Sequence, residues 1–298
     1  MSFSLYLKNK ISKNQITRNN LIAQLNLYCN EFEYLDAITF SRWITNKTTP
    51  SPYKQILIAY FFKENIIDFI RFHLSIKKEP KLTFQAYEKA INFIANSYTN
   101  VSYLYNDNSS DYSYELMTMS GDNHDDILGN FYKNFKIYDS IYPIIKGETH
   151  YCILHKKDNY LISHISFFKS NKKIINQLSK SLNVDISGDY VVNLSHITDS
   201  RSFYIMHTTL LCLLYKYNAR NYIYILREEF LDLFSTLPYE EIIYGNKGHN
   251  NKNVYILRIN LLSILSHPFM ALLLKNTLRT EKNIFSNIEQ LSHQPSEG

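Results

Sequence analysis

Glycine is scarce in this chain, with 7 among 298 residues, while tyrosine numbers 25. That skew, alongside abundant Asn, Ile and Lys, is what an AT-rich coding genome produces, so the tyrosines alone point to no chemistry. Cysteine is scarcer still. Cys29, Cys152 and Cys212 are unevenly spaced in apolar surroundings. They form no paired-thiol motif, which excludes a structural zinc site and predicts buried, reduced thiols in a cytoplasmic protein. The longest apolar run, Ile256–Leu274, is interrupted by Arg258, His267 and Pro268, so no membrane span is expected. Met1–Ser12 has no apolar core of signal-peptide length. The run Asp122–Asp126 lacks the glycine and the closing glutamate of a calcium loop; it reads as a solvated turn capping a helix that starts near Ile127, and no metal is expected. An excess of acid is missing from residues 1–80, where 11 Lys plus Arg stand against 6 Asp plus Glu, whereas the rest of the chain holds 21 of each. All the formal charge of +5 therefore lies on the N-terminal part, where a phosphate-facing surface would need it.

What is present there is a set of short helical patterns. Thr17 precedes Arg18–Leu25 as an N-cap. In Asp36–Pro50 the residues Ile38, Trp43 and Ile44 are spaced to dock on a small core, while Thr39, Ser41, Arg42 and Thr45 project between them. Asn46 suits the left-handed residue that ends a helix, and Ser51-Pro52 starts the next one, through Phe62. The residues Ile16-Thr17-Arg18, Leu21-Ile22-Ala23, Thr39-Phe40-Ser41-Arg42-Trp43 and Pro50 resemble the Xre or lambda-repressor-like helix-turn-helix family over residues 1–65. The resemblance implies double-stranded DNA as partner, with Arg42 reading a base edge and Thr39 and Ser41 assisting. Arg18 stands where that family has a phosphate-bracing Gln, and Thr17, Thr45, Asn46 and Lys47 complete the expected contact set. A homodimer on a two-fold operator follows from the small size of one reader. The sequence departs from the family in a longer turn, Asn26–Leu35, and in Ile44-Thr45-Asn46 after the Trp.

Residues 66–100 read as a helical connector or dimer contact, with Phe84, Tyr87, Ala90, Ile91 and Ile94 at helical spacing. Short strands are expected at Val101–Tyr105 and Ser113–Met119. From His150 the pattern alternates with period two. Tyr151–Leu154 and Tyr160–Phe168 form a hairpin, Tyr190–Ile197 a strand, Ser202–Tyr217 a helix, Asn221–Leu226 a strand and Phe230–Thr236 a helix; Glu241–Tyr244 and Asn253–Ile259 close a second hairpin. His150, His155, His164 and His196 fall on these strands, where a core or surface role outweighs that of a base. Ser195-His196 lacks an acid partner and a nucleophile elbow, which argues against a hydrolase. A helix over Leu261–Lys275, apolar on more than one face, and a polar tail complete residues 261–298.

That element order, with Phe234-Ser-Thr-Leu-Pro-Tyr-Glu-Glu-Ile242, resembles the GNAT acyltransferase superfamily over about residues 110–260, within a domain expected at 101–260. The resemblance implies central strands that splay to admit acyl-coenzyme A, with N–H groups at a helix start holding its diphosphate. Here the corresponding loop, containing Ile197, Thr198, Ser200, Arg201 and Ser202, has no glycine and carries Asp199, and the position of the family's proton-donating Tyr is Phe234. The expected architecture is thus α+β and multidomain: an all-α helix-turn-helix domain followed by a GNAT-like mixed-sheet domain. The expected function is a transcriptional regulator whose second domain senses or dimerises without catalysis, with no cofactor, although acyl-coenzyme A could bind at that loop. Two alternatives are an acyl-CoA-dependent N-acyltransferase carrying a helix-turn-helix, and a protein-interaction module.

Overall fold

The computed structural model describes residues 2–77, 80–102, 112–119, 121–133, 135, 137–157, 160–239, 241–247 and 253–281. The chain divides into two units, Met1–Pro80 with Leu265–Thr280 and Lys81–Ile264 with Glu281–Gly298. The sequence places boundaries at 65, 100 and 260; the packing divides the chain after 80, 264 and 280.

The N-terminal unit is all helix: α1 (Phe3–Lys13), α2 (Arg18–Tyr28), α3 (Ala37–Ile44), α4 (Pro52–Phe61), α5 (Ile66–Phe72) and, from the far end of the chain, α13 (Pro268–Thr280). Each of α1 to α5 opens on a side chain that accepts from the first turn: Ser2, Thr17, Asp36, Ser51 and Asn65. These caps satisfy N–H groups that short helices cannot satisfy internally. Phe3, Leu7, Leu21, Leu25, Phe40, Ile56 and Phe69 form the core. Gln55, fully buried, fastens it: its Nε2 donates to the carbonyls of Pro50 (2.9 Å) and Ser75 (2.7 Å), and its Oε1 accepts from the Ser75 N–H. Ile38, expected to dock inward, is 68% exposed; the buried stripe of α3 is Phe40, Trp43 and Ile44.

The glycine shortage shows at the helix ends. Gln15, Asn46, Lys63, Asn183 and Asn218 all adopt positive φ, the conformation that glycine accepts without steric cost. Lys63 (φ 55°) follows α4, with the Glu64 N–H closing onto the Ala59 carbonyl at 3.0 Å.

The second unit is built on a seven-stranded mixed sheet. After α6 (Lys81–Ser102) come β1 (Tyr112–Met119), α7 (Gly121–Tyr132), α8 (Ile137–Ile145), β2 (His150–Lys157), β3 (Tyr160–Lys169), α9 (Lys172–Leu182), β4 (Tyr190–Val192), α10 (Ser200–Lys216), β5 (Asn221–Arg227), α11 (Leu231–Ser235), β6 (Glu241–Lys247), β7 (Asn253–Asn260) and α12 (Leu261–Ser266). The strand order is β1-β2-β3-β4-β5-β7-β6. Every neighbouring pair is antiparallel except β4–β5. One face carries α7, α8 and α9 over Cys152, Leu154, Phe168, Val191, Ile223, Ile225 and Ile256. On the other face α10 packs against β2 and β3, and α6 reaches α10, where Tyr87 packs on Phe203 (5.1 Å).

Several expectations are corrected here. Asp122–Asp126 lies inside α7, which starts at Gly121, and His124 is buried rather than solvated. Val101 and Ser102 end a 22-residue helix instead of starting a strand; the remainder of that expected strand, 103–105, lies outside the described residues. β4 stops at Val192, five residues short of Ile197. The single helix expected over Leu261–Lys275 breaks before Pro268, which has no N–H to continue α12.

Lys63→Gly is expected to raise the free energy of unfolding by about 1 kcal/mol, the cost of a side chain held in the left-handed region. Urea unfolding followed by circular dichroism measures it; an unchanged or lower midpoint would contradict the assignment.

Candidate functional site

The feature that opens a site is the way β4 leaves β5. Their parallel pairing covers Tyr190–Tyr222, Val191–Ile223 and Val192–Tyr224 and then ends. Beyond it, β5 stays with β7, pairing Ile225 with Ile256 and Arg227 with Val254. The chain after β4 stays with β3: the Asn193 N–H donates to the Ser166 carbonyl (2.9 Å), and His196 pairs with His164. Between the pairs Val192–Phe167 and His196–His164, three residues (193–195) face two (165–166). This is a bulge, one extra residue that bends the strand and re-aims its side chains. Asn193 and Leu194 accordingly both turn towards the α7–α8 face, and Ser195 turns towards β5.

At the parting, the Leu194 N–H has no strand partner and is satisfied by the hydroxyl of Tyr138, from α8, at 2.9 Å. Tyr138 belongs to a buried polar network. Ser166 Oγ meets Tyr132 Oη (2.9 Å), Asn193 Nδ2 (3.0 Å) and His124 Nε2 (3.2 Å), the full capacity of one hydroxyl. His150 stacks on His124 with centroids 3.9 Å apart, donates from Nε2 to the Ile145 carbonyl and accepts at Nδ1 from Asn193 Nδ2. Burial holds both rings neutral, lowering His124 to about 3 and His150 to about 4.

A second line of groups lies on the α10 face. His207 Nδ1 is 2.9 Å from the carbonyl of Phe203, which makes it the donor and leaves Nε2 as an acceptor for Tyr224 Oη at 3.2 Å. Ser195 Oγ stands 3.3 Å from the same Tyr224 oxygen, across the gap between the parted strands. All three residues are buried. Burial raises the Tyr224 phenol to about 12 and lowers His207 to about 4, so both are neutral near pH 7.

The loop singled out in the sequence sits at the start of α10. Ile197 and Ser202 are buried, Thr198 and Ser200 are half-buried, and Arg201 is exposed and pairs with Glu281 at 3.2 Å. Asp199 caps the helix, accepting from Ser202 N (2.9 Å), Ser202 Oγ (2.6 Å) and Thr198 Oγ1 (3.1 Å). His155 Nδ1 meets Ser202 Oγ at 2.6 Å. At this helix start the Asp199 carboxylate holds the Ser202 N–H, one of the donors of the first turn. Phe234, on α11, packs its ring 5.0 Å from Tyr224.

Of the residues expected to touch DNA, Thr17, Thr45 and Asn46 serve their own helices. Thr17 Oγ1 accepts from the Asn20 N–H (3.3 Å), Thr45 Oγ1 donates to the Ser41 carbonyl (2.9 Å), and Asn46 terminates α3 at φ 59°. Thr39 and Ser41 are half-buried; Arg18, Arg42 and Lys47 are exposed. The eight-residue α3 is fastened to α1, whose Ser4 hydroxyl donates to the Ile44 carbonyl at 2.5 Å. The fold of 1–65 is completed by α5 and by α13, where Lys275 Nζ donates to the Leu74 carbonyl (2.6 Å).

No protein-family model and no curated protein matches the chain. Among solved structures it aligns with FeeM, described as an N-acyl amino acid synthase from uncultured soil microbes. The identity is 10% and the TM-score 0.37, over 55% of this chain and 98% of that one. No family model supports the DNA-binding regulator of the Xre helix-turn-helix family expected from the N-terminal residues. The physical correction is that the supposed reader is not a free-standing module but part of a larger helical unit closed by residues 265–280. Among the described residues no helix is long and apolar enough to cross a membrane.

The sequence did not single out Tyr138, Asn193, Ser166, Tyr224 or His207. The one available signal was the period-two run through Tyr222 and Tyr224, which placed both on one face of β5 without naming their partners.

Because His124, His150 and His207 are neutral when folded but take up protons near their usual value of about 6.5 when unfolded, stability is full above that pH. It is lost as pH falls from about 6.5 towards about 4, by about 1.4 kcal/mol per pH unit for each ring. The unfolding midpoint should therefore drop steeply between pH 7 and pH 5, and less steeply in His150→Gln, as read by denaturant titrations at each pH. An equal slope in the variant would remove His150 from this account.

Proposed function

We propose that the second unit is a GNAT-like N-acyltransferase domain that accepts an acyl thioester in the gap between β4 and β5 and passes the acyl group to an amine. The observation that supports this is the parting itself. One parallel pair within an otherwise antiparallel sheet ends after three residue pairs, and the bulge leaves the Leu194 N–H without a strand partner, held by the Tyr138 hydroxyl. A main-chain donor at such a point suits a carbonyl oxygen on which negative charge grows as an amine attacks. Tyr138 Oη, now on that N–H, is the group that a thioester carbonyl replaces. The start of α10 does not suit the diphosphate of coenzyme A, because Asp199 occupies it. The thioester group therefore defines the donor.

The test is incubation of the full chain with acyl N-acetylcysteamine thioesters, which carry no diphosphate, and a panel of amines including amino acids. Thiol release that requires the amine, with an amide product seen by mass spectrometry, is expected; absence of amide with every acyl length would overturn the reading. Tyr138→Phe, which removes the competing hydroxyl, is expected to lower KM for the thioester severalfold while leaving kcat within about twofold, as for uniform binding changes. A raised KM would show that the hydroxyl helps to hold the donor.

A further inference from the structure

The gap is crossed by one chain of hydrogen bonds whose direction is fixed from the far end. His207 must donate from Nδ1 to the Phe203 carbonyl, so Nε2 accepts the Tyr224 hydroxyl proton, and the Tyr224 oxygen is then free to accept from Ser195. We propose that Ser195, Tyr224 and His207 form the proton path of the acyl transfer, with Ser195 as the catalytic residue at the gap and Tyr224 and His207 as the positioning residues behind it. This rests on the acyltransferase reading above.

The geometry assigns each group one task. As the amine nitrogen bonds to the thioester carbon, its proton passes to Ser195 Oγ, the Ser195 proton to Tyr224 Oη, and the Tyr224 proton to His207 Nε2. The carbon–sulfur bond then breaks, and the same three protons step back, ending on the thiolate sulfur. One C–N bond forms, one C–S bond breaks, and the protein returns to its starting protonation without oxidant or reductant. At rest the His207 imidazole and the Tyr224 phenol are both held neutral by burial, so the path starts from uncharged groups. The Phe234 ring, with its centroid 5.0 Å away, packs against Tyr224. The bulge at 193–195 is what turns Ser195 to meet Tyr224.

The experiment uses the full chain and the thioester-amine pair with the highest turnover. Ser195→Ala and Tyr224→Phe should each lower kcat about 100-fold with KM for the thioester unchanged within about twofold, and the double variant should be no slower than the worse single one, since the groups act as a unit. Ser195→Thr, which keeps a hydroxyl, should recover at least tenfold of the loss. Thermal unfolding of each variant checks that the fold persists. If the parent turns over and both single variants keep their kcat, or if their losses multiply in the double variant, the proton path is overturned while the acyltransferase reading stands. If the parent makes no amide with any thioester, that reading fails first.

Discussion

The arrangement of the sheet unit depends on one inserted residue. Between two β3–β4 pairs, three residues on the β4 side oppose two on the β3 side. The extra residue holds the continuing chain against β3 while β5 remains bound to β7, so the two parallel strands must part. An open seam within a sheet leaves main-chain donors without partners, and buried donors need acceptors. Tyr138 meets that requirement at Leu194, and on the same face Asn193 is fixed by Ser166 and His150.

The two buried networks flank the seam and differ in character. On the α7–α8 face, one serine hydroxyl gathers a tyrosine, an asparagine and a histidine, so the loss of any member leaves another unsatisfied. That network holds the bulge in place. On the α10 face, the line from His207 through Tyr224 to Ser195 is unbranched and ends at the gap. The first is suited to fixing geometry and the second to moving a charge.

The N-terminal unit shows how local pattern can match a motif while packing assigns another role. Thr17, Thr45 and Asn46 have the residue types of a DNA-reading surface. In the fold the two threonines cap and back-bond their own helices, and Asn46 takes the left-handed position that glycine would otherwise fill. The nearby exposed cations Arg18, Arg42 and Lys47 sit on a unit that α13 helps to close, which the local sequence could not reveal because its closing helix lies two hundred residues away.

The sequence by itself determined the elements whose signal is periodic: the hairpin of β2 and β3, the buried strand β5, the long apolar helix α10 and the closing pair of β6 and β7 all follow from alternation or helical spacing. It missed α8, where Pro143 breaks the usual helical reading although the helix persists, and with it Tyr138. Only the tertiary structure decided that β4 ends at Val192, that Asp199 occupies the start of α10, and that Ser195, Tyr224 and His207 meet. The reason is physical: periodicity reports which face of an element is buried, whereas register, a bulge and the meeting of side chains 17 and 29 residues apart are set by pairing between elements.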